Sequence, residues 1–360
     1  MKRVIRIGGG EPEYRTPGHI VEAMVRAMEE GHTHYGDFRH IPELREAVAA
    51  KYQRLGVDAN PEWVIITPGS TMGIYMVFKT LMAPGEEFIT MDPCFFGYYE
   101  PVRHLGIKAR TVPRYKEEDW VFHPEDLYGA TTDKTRALLI CSPDNPTGAV
   151  MGDEELGAVA DYAEEKDVTV ISDDIYDEIT YDGVKFKSVA SLPGMAERTV
   201  ILNGLSKTYA MTGWRAGYII APSQALYDRL FSLQMASFLV VNAAIQHASL
   251  AALTGPQGCV KEMVADYDRK KRFVVDAWRD IPGVTVTEPK GAFYAFPDLS
   301  EYGMTSAQMS KYLMEEAAVA VTPGHLFGAN GEGHVRNAFA QSIAELEEAL
   351  MRIRVALAKL

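Results

Sequence analysis

An α/β fold is predicted for this chain, with a large, mostly parallel sheet sandwiched by helices and a smaller α+β domain. Three observations predict it. Short apolar runs of strand length alternate with helical patterns through the middle of the sequence, and this alternation builds a parallel sheet covered on both faces. Polar residues with chemical potential fall just after those runs. From about Val260 the pattern changes to a long charged helix followed by short strands.

Val64-Ile65-Ile66-Thr67 reads as the first strand of the sheet, followed by a Pro-Gly turn and a helix through Met72 to Leu81. Glu87–Met91, Ala137–Ile140 and Val168–Ile171 are similar strands, and Thr199–Leu202 leads into a loop carrying Lys207. Asp153 to Glu165 reads as a helix, with Asp153 as its cap and acids in its first turn. Ser70, Asn145, Asp173 and Lys207 each follow a different strand. Ligands of such sheets bind at the carboxyl ends of strands, so four loops are expected to converge on one crevice. Farther on come a helix from Lys261 to Trp278, strands at Val284–Val286 and Ala292–Ala295, and helices at Ser306–Ala317 and Ile343–Lys359. The last is amphipathic and closes the smaller domain. The expected division is a large domain over 33–262 and a small one from 1–32 with 263–360. No repeat, low-complexity tract or Gly/Ser linker interrupts the chain, so the two are expected to pack together.

The 360 residues suffice for two domains, and the hydrophobic fraction of 47% is that of a globular protein. A net charge of −13 without long basic runs argues against a nucleic-acid groove or an anionic membrane surface. The charged start Met1-Lys2-Arg3 is followed by no apolar stretch of signal-peptide length, and no run is long enough for a membrane span. Cys94, Cys141 and Cys259 are scattered, form no metal-ligand spacing and suggest a reducing compartment. A cytoplasmic enzyme without a metal is the expectation.

Lys207 lies in Ser206-Lys207-Thr208-Tyr209-Ala210-Met211-Thr212-Gly213-Trp214-Arg215-Ala216-Gly217-Tyr218. Small, hydroxylated and apolar neighbours, an arginine eight positions on and no acid between them push an amine towards its neutral, nucleophilic form. Most lysines in loops are simply solvated. This run, however, resembles the cofactor-lysine signature of the class I/II aminotransferases, the pyridoxal 5′-phosphate enzymes of fold type I. The similarity extends from Gly10-Glu11-Pro12-Glu13 to Arg336, with the motifs in family order, and is nearest the bacterial and archaeal aspartate-aminotransferase-like subgroup.

The resemblance implies a role for each motif residue, beside a plainer reading. Lys207 would form the Schiff base with the cofactor aldehyde and shuttle the proton in catalysis. Asp173, otherwise a turn cap, would pair with the ring nitrogen and keep it protonated, while Asp174 matches the family's variable acid. Tyr176, otherwise a core tyrosine, and Asn145, otherwise part of an Asn-Pro turn, would hydrogen-bond the ring oxygen. Phe95, otherwise a core aromatic, would stack on the ring. Ser70 and Thr71, otherwise a helix cap, would hold the phosphate with Arg215. Tyr35 would reach the phosphate from the partner subunit of a homodimer. Gly204 departs from the serine many relatives carry three positions before the lysine, and Ser206 is the nearby substitute.

For the substrate, Arg336 would grip the α-carboxylate through two parallel hydrogen bonds, with Asn145 and the Gly10 backbone beside it. An arginine in a strand otherwise faces water. Relatives specific for acidic substrates carry a lysine beside the phosphate loop or an arginine from the partner. Here the first position is Thr71, and the second segment, Ser237–Asn242, has no cation. This points to neutral or apolar donors, with Arg15 and Arg39 as cations that could still reach the pocket. His40, where glycine is usual, and Asn337, after Arg336, depart from the family pattern. The expected activity is ping-pong transfer of an amino group from an L-amino acid to a 2-oxo acid. The same constellation serves lyases, decarboxylases and cyclising synthases. Asn145-Pro146-Thr147-Gly148, the commoner aminotransferase form of its loop, favours transamination. A sensory domain of a transcription regulator would need an attached DNA-binding domain, for which a chain starting directly at the small domain leaves no room.

Overall fold

The computed structural model describes residues 3–360; Met1 and Lys2, which open both the charged start and the 1–32 segment, lie outside the described residues. After a short strand, β1 (Ile5–Arg6), the described residues build an eight-stranded sheet. Its strands are β2 (Val64–Pro68), β3 (Glu87–Asp92), β4 (Lys108–Tyr115), β5 (Val121–Phe122), β6 (Thr135–Cys141), β7 (Thr169–Asp173), β8 (Thr199–Gly204) and β9 (Ala216–Ile220). The order is β2-β9-β8-β7-β6-β3-β4-β5. The run from β8 to β4 pairs in parallel, β9 runs against both β8 and β2, and β5 runs against β4. Two reversals return β2 to the direction of the parallel set. The carboxyl ends of β2, β3, β6, β7 and β8 therefore share one edge of the sheet, and β9 begins there.

β3 and β8 are buried at every position, as strands covered on both faces must be. Successive side chains alternate between two separate cores: Ile201, Tyr218 and Ile220 enter one, while Leu202 and Ile219 enter the other. The helix Ser70–Leu81 covers the second face through Ile74, Val77 and Phe78. The smaller domain contains β10 (Tyr294–Ala295), β11 (Val319–Ala320), β12 (Thr322–Pro323) and β13 (Val335–Ala338). β13 pairs with β10 and β12 in antiparallel fashion, and β11 pairs with β1 in parallel. Among the described residues no helix is long and apolar enough to cross a membrane.

Several local expectations need correction. Gly152, not Asp153, caps the helix Asp153–Lys166: its N–H donates to Glu155, while the Asp153 carboxylate bonds Lys187 at 2.7 Å. Val284–Val286 is no strand, because only Thr285 finds a partner, at Asp298. Ala292–Ala295 contributes only Tyr294–Ala295 to a strand. The helix expected over Ser306–Ala317 is α-helical to Tyr312 and continues as a wider π turn, Leu313–Ala317. β4, β9 and the helices Gly18–Glu29, Pro42–Gln53, Gln224–Ser237 and Ala243–Thr254 were not anticipated.

Candidate active site

The shared edge of strand ends opens on a cavity of about 250 Å³ that also reaches β13 and the Gly8–Thr16 segment. All the residues expected in the site line it except Tyr35. Lys207 follows β8 and projects into the cavity, where its Nζ donates to the Gly10 carbonyl at 2.5 Å. Burial lowers its pKa to about 8, and the nearby cations Arg336 and Arg215 push the same way against Glu11 and Asp173.

Asp173 ends β7 and is buried. Desolvation raises its carboxyl to about 6 against two opposing hydrogen bonds, from Tyr98 Oη (2.8 Å to Oδ2) and the Ile175 N–H (3.3 Å to Oδ1). Asp174 points away from the cavity: Ser172 Oγ and Tyr52 Oη donate to it at 2.6 and 3.1 Å. The Tyr176 hydroxyl lies 2.7 Å from that of Tyr294.

Arg336 is buried with four contacts fixing its guanidinium. Nη1 donates to Asn145 Oδ1 (2.8 Å) and Nη2 to the Gly8 carbonyl (2.6 Å). The group also lies 4.5 Å from the Tyr294 ring centroid and 4.9 Å from that of Phe327. Its Nε has no partner among the described residues. The Gly8–Thr16 segment thus straps the cavity, and polar pairs fasten it beyond: Glu11 to Thr212, Glu13 to Lys270, Tyr14 to Asp266, and Thr16 Oγ1 to the Ala210 carbonyl at 2.8 Å.

Opposite this end, β2 turns into the helix Ser70–Leu81 through Gly69, at φ +78°. A side chain there would be strained and would collide with the Arg215 guanidinium, which packs against the turn and donates from Nη1 to the Thr212 carbonyl (2.9 Å). Ser70 and Thr71 occupy the first helical turn, whose free N–H groups and positive dipole end favour an anion. Gly204 has a steric reason: a Cβ there would lie 3.0 Å from the Ala216 carbonyl oxygen. Ser206 lines the cavity nearby.

A sequence profile of the aminotransferases of class I and II matches residues 2–353. The chain belongs to this family. It is 40% identical to an aspartate aminotransferase of Pyrococcus abyssi, over 98% of this chain and 91% of that protein. It is also 40% identical to aromatic-amino-acid aminotransferase 2 of Thermococcus litoralis, with the same coverage. The crystal structure of an aromatic aminotransferase from Pyrococcus horikoshii superposes with a TM-score of 0.96, at 40% identity, covering 100% of this chain and 96% of that one.

The protein is thus an aminotransferase, and enzymes of this class depend on pyridoxal phosphate. The cavity fits that group by the chemistry of its donors: an amine of lowered pKa, a buried carboxylate, and a helix start with an arginine for a phosphate.

Other expectations were corrected by this aminotransferase's geometry. Arg39 does not enter the cavity; it bonds Tyr227 Oη (3.1 Å) and Glu62 Oε2 (2.9 Å). Arg15 is exposed and does not line it either. His40 has φ +69°, the conformation a glycine adopts easily, and its buried ring accepts the Val241 N–H at 3.3 Å; desolvation lowers its pKa to about 4. Asn337 is accounted for by Trp278, whose Nε1 donates to its Oδ1 at 2.9 Å. Sequence reasoning missed Tyr98 and Tyr294, both lining the cavity. Tyr294 carried one signal, a hydroxyl within an apolar run. Tyr98 was hidden among the aromatics around Phe95.

Proposed function

We propose that this aminotransferase moves the amino group of a neutral or apolar L-amino acid to a 2-oxo acid in a ping-pong cycle. The observation that carries the donor class is the cation inventory of the cavity. Among the described residues only Lys207, Arg215 and Arg336 are cations that line it, and each is needed elsewhere in the reaction. Thr71 supplies no charge, and Ile74, Phe95, Phe96 and Ile175 make the remaining walls largely apolar. An acidic side chain there would lose its hydration without a partner, at a cost of roughly 3 kcal/mol or more, on the order of 10²-fold or more in kcat/KM.

Bound pyridoxal phosphate supplies an aldehyde and an electron-accepting ring. In this reading Lys207 is the nucleophile and afterwards carries the proton to and from the substrate α-carbon. Asp173 would balance the charge of the cofactor's ring nitrogen. Tyr176 and the amide nitrogen of Asn145, whose Oδ1 is occupied by Arg336, would serve its ring oxygen, and Phe95 would pack against the ring. Ser70, Thr71, Ser206 and Arg215 would hold its phosphate. Arg336 orients the substrate by its α-carboxylate, with Gly10 closing above. The large domain would span 33–262 and the small one 1–32 and 263–360.

A cytoplasmic homodimer with shared sites completes the proposal. Tyr35 is 66% exposed outside the cavity, and Val25 and Met28, 49% and 52% exposed, lie on the nearby helix Gly18–Glu29. A partner subunit would cover these side chains and carry Tyr35 to the other site. The three free cysteines suit a reducing compartment. Mixing Lys207→Ala with Tyr35→Phe should create heterodimers more active than the mean of the two parents, because one site regains both residues; activity equal to that mean after exchange would make the sites wholly intrachain. The donor class is tested by kcat/KM for aspartate, glutamate, alanine, leucine and phenylalanine with one common acceptor. Aspartate as the best donor would overturn it.

A further inference from the structure

Against Arg336 lies a small aromatic cluster separate from the main cores: Trp120, Phe296 and Phe327. Its members come from distant parts of the chain. Trp120 belongs to the turn joining β4 to β5, whereas Phe296 and Phe327 belong to the smaller domain. The indole is 2% exposed, with its ring centroid 5.7 Å from Phe296 and 5.3 Å from His334. Phe296 is stacked on His334 at 4.8 Å and meets the Phe327 ring edge-on at 5.8 Å. Phe327 in turn forms the lower wall of the Arg336 guanidinium. His334 precedes β13, the strand that carries Arg336.

The turn is also tied down by two ion pairs. Lys116 bonds Asp298 at 2.5 Å, and Asp119 pairs with Lys290 at 3.2 Å, so the two ion pairs run in opposite senses across the same seam. Arg114 Nη1 donates to the Trp120 carbonyl at 3.1 Å. Asp119 and Trp120 both adopt the left-handed conformation, at φ 58° and 66°. Nothing in the chemistry proposed above uses this assembly.

We propose that Trp120 is a positioning residue for the substrate-carboxylate grip: its indole backs the Phe296–Phe327 pair and thereby sets the tilt of the Arg336 guanidinium. The two hydrogen bonds of Arg336 fix its rotation within its own plane, but the plane is set by the rings on either side of it. Tyr294 is braced by the Tyr176 hydroxyl. Phe327 is braced on one side by Phe96, at 5.5 Å, and through Phe296 by Trp120. Loss of the indole leaves space into which Phe327 and Phe296 relax, and misplacement by a fraction of an ångström spoils a bidentate contact. This rests on Arg336 being the carboxylate fork.

The test compares an amino acid with the amine that lacks only its carboxylate, L-phenylalanine with phenethylamine and L-alanine with ethylamine. Each is mixed with holoenzyme, and the half-reaction is followed by absorbance. Trp120→Ala is expected to raise the saturation constant for the amino acid about tenfold or more and to change that for the amine less than about twofold. Trp120→Phe, which keeps a ring, should recover most of the loss, and the cofactor absorbance should stay as in the wild type. Equal loss for both ligands, or no loss for the amino acid, would overturn the proposal. Should Trp120→Ala not fold, Phe296→Leu breaks the same contact from the other side with the same expected split. Arg336→Ala is run in parallel. If it keeps the preference for the carboxylate, the fork itself fails and the positioning role of Trp120 with it; if it loses the preference while the Trp120 variants do not, only the positioning role fails.

Discussion

Among the described residues the Lys207 amine has no carboxylate within ion-pairing distance, whereas the Lys51 amine lies 2.6 Å from Asp177 and 3.5 Å from Glu178. Both amines are largely withdrawn from water. Burial lowers Lys207 to about 8, aided by Arg336 and Arg215. Burial alone would also lower Lys51, but Asp177, Tyr218 and Glu178 outweigh it and hold the pKa well above the ordinary lysine value. Desolvation is therefore common to both regions, and the sign of the nearest charge decides between a nucleophile and a structural cation. The Lys51 region has its own task. Asn203 Nδ2 donates to both Asp177 (2.9 Å) and Tyr52 (2.8 Å), which pins the end of β8 just before the loop that carries Lys207.

The largest effect should come from removing the nucleophile. Lys207→Ala is expected to lower turnover by about 10⁴-fold or more and to leave no cofactor chromophore that borohydride can fix to the chain. Retained turnover would break the assignment of the two lysines. Next, Asp177→Asn strands the buried Lys51 charge and should destabilise the fold by about 3 kcal/mol, read by denaturant titration, with Lys207 still able to react.

A smaller effect separates burial from charge at Lys207. Its amine is protonated and inert below its pKa, so aldehyde uptake by the apoprotein should climb with pH and level off above about 8. Arg336→Met removes a repelling cation and should move that midpoint upward; an unmoved midpoint would leave the depression to desolvation and Arg215. The smallest expected change is at Tyr98→Phe. The Tyr98 hydrogen bond opposes the desolvation that raises Asp173 to about 6, so its loss pushes the carboxyl further up. Cofactor retention should then weaken about fivefold near neutral pH, and its acid limb should move to higher pH.

The cofactor end of the cavity was the more legible part. Strands with continuous apolar runs betray themselves locally, and chemistry attached to their carboxyl ends follows from the sheet rule, which is why Ser70, Asn145, Asp173 and Lys207 were found together. The antiparallel β9 escaped notice because Ala216–Ile220 reads as the tail of the lysine motif, although its reversal restores β2 to the common direction. The substrate end was less legible. Its strands are two to four residues long, and its key contacts, such as Arg336 with Gly8, join opposite ends of the chain.

The sequence by itself determined the α/β class, the strands that lead to the lysine and aspartate, and the family to which the chain belongs, because apolar periodicity and short motifs are local properties. Tertiary structure alone decided that Asp174 turns to Ser172 and Tyr52, that Arg39 is bound to Glu62, and that Lys51 is held charged while Lys207 is depressed. Each of these depends on which charges and donors from remote segments surround a buried group. In a medium that screens poorly, those neighbours outweigh anything the adjacent residues impose.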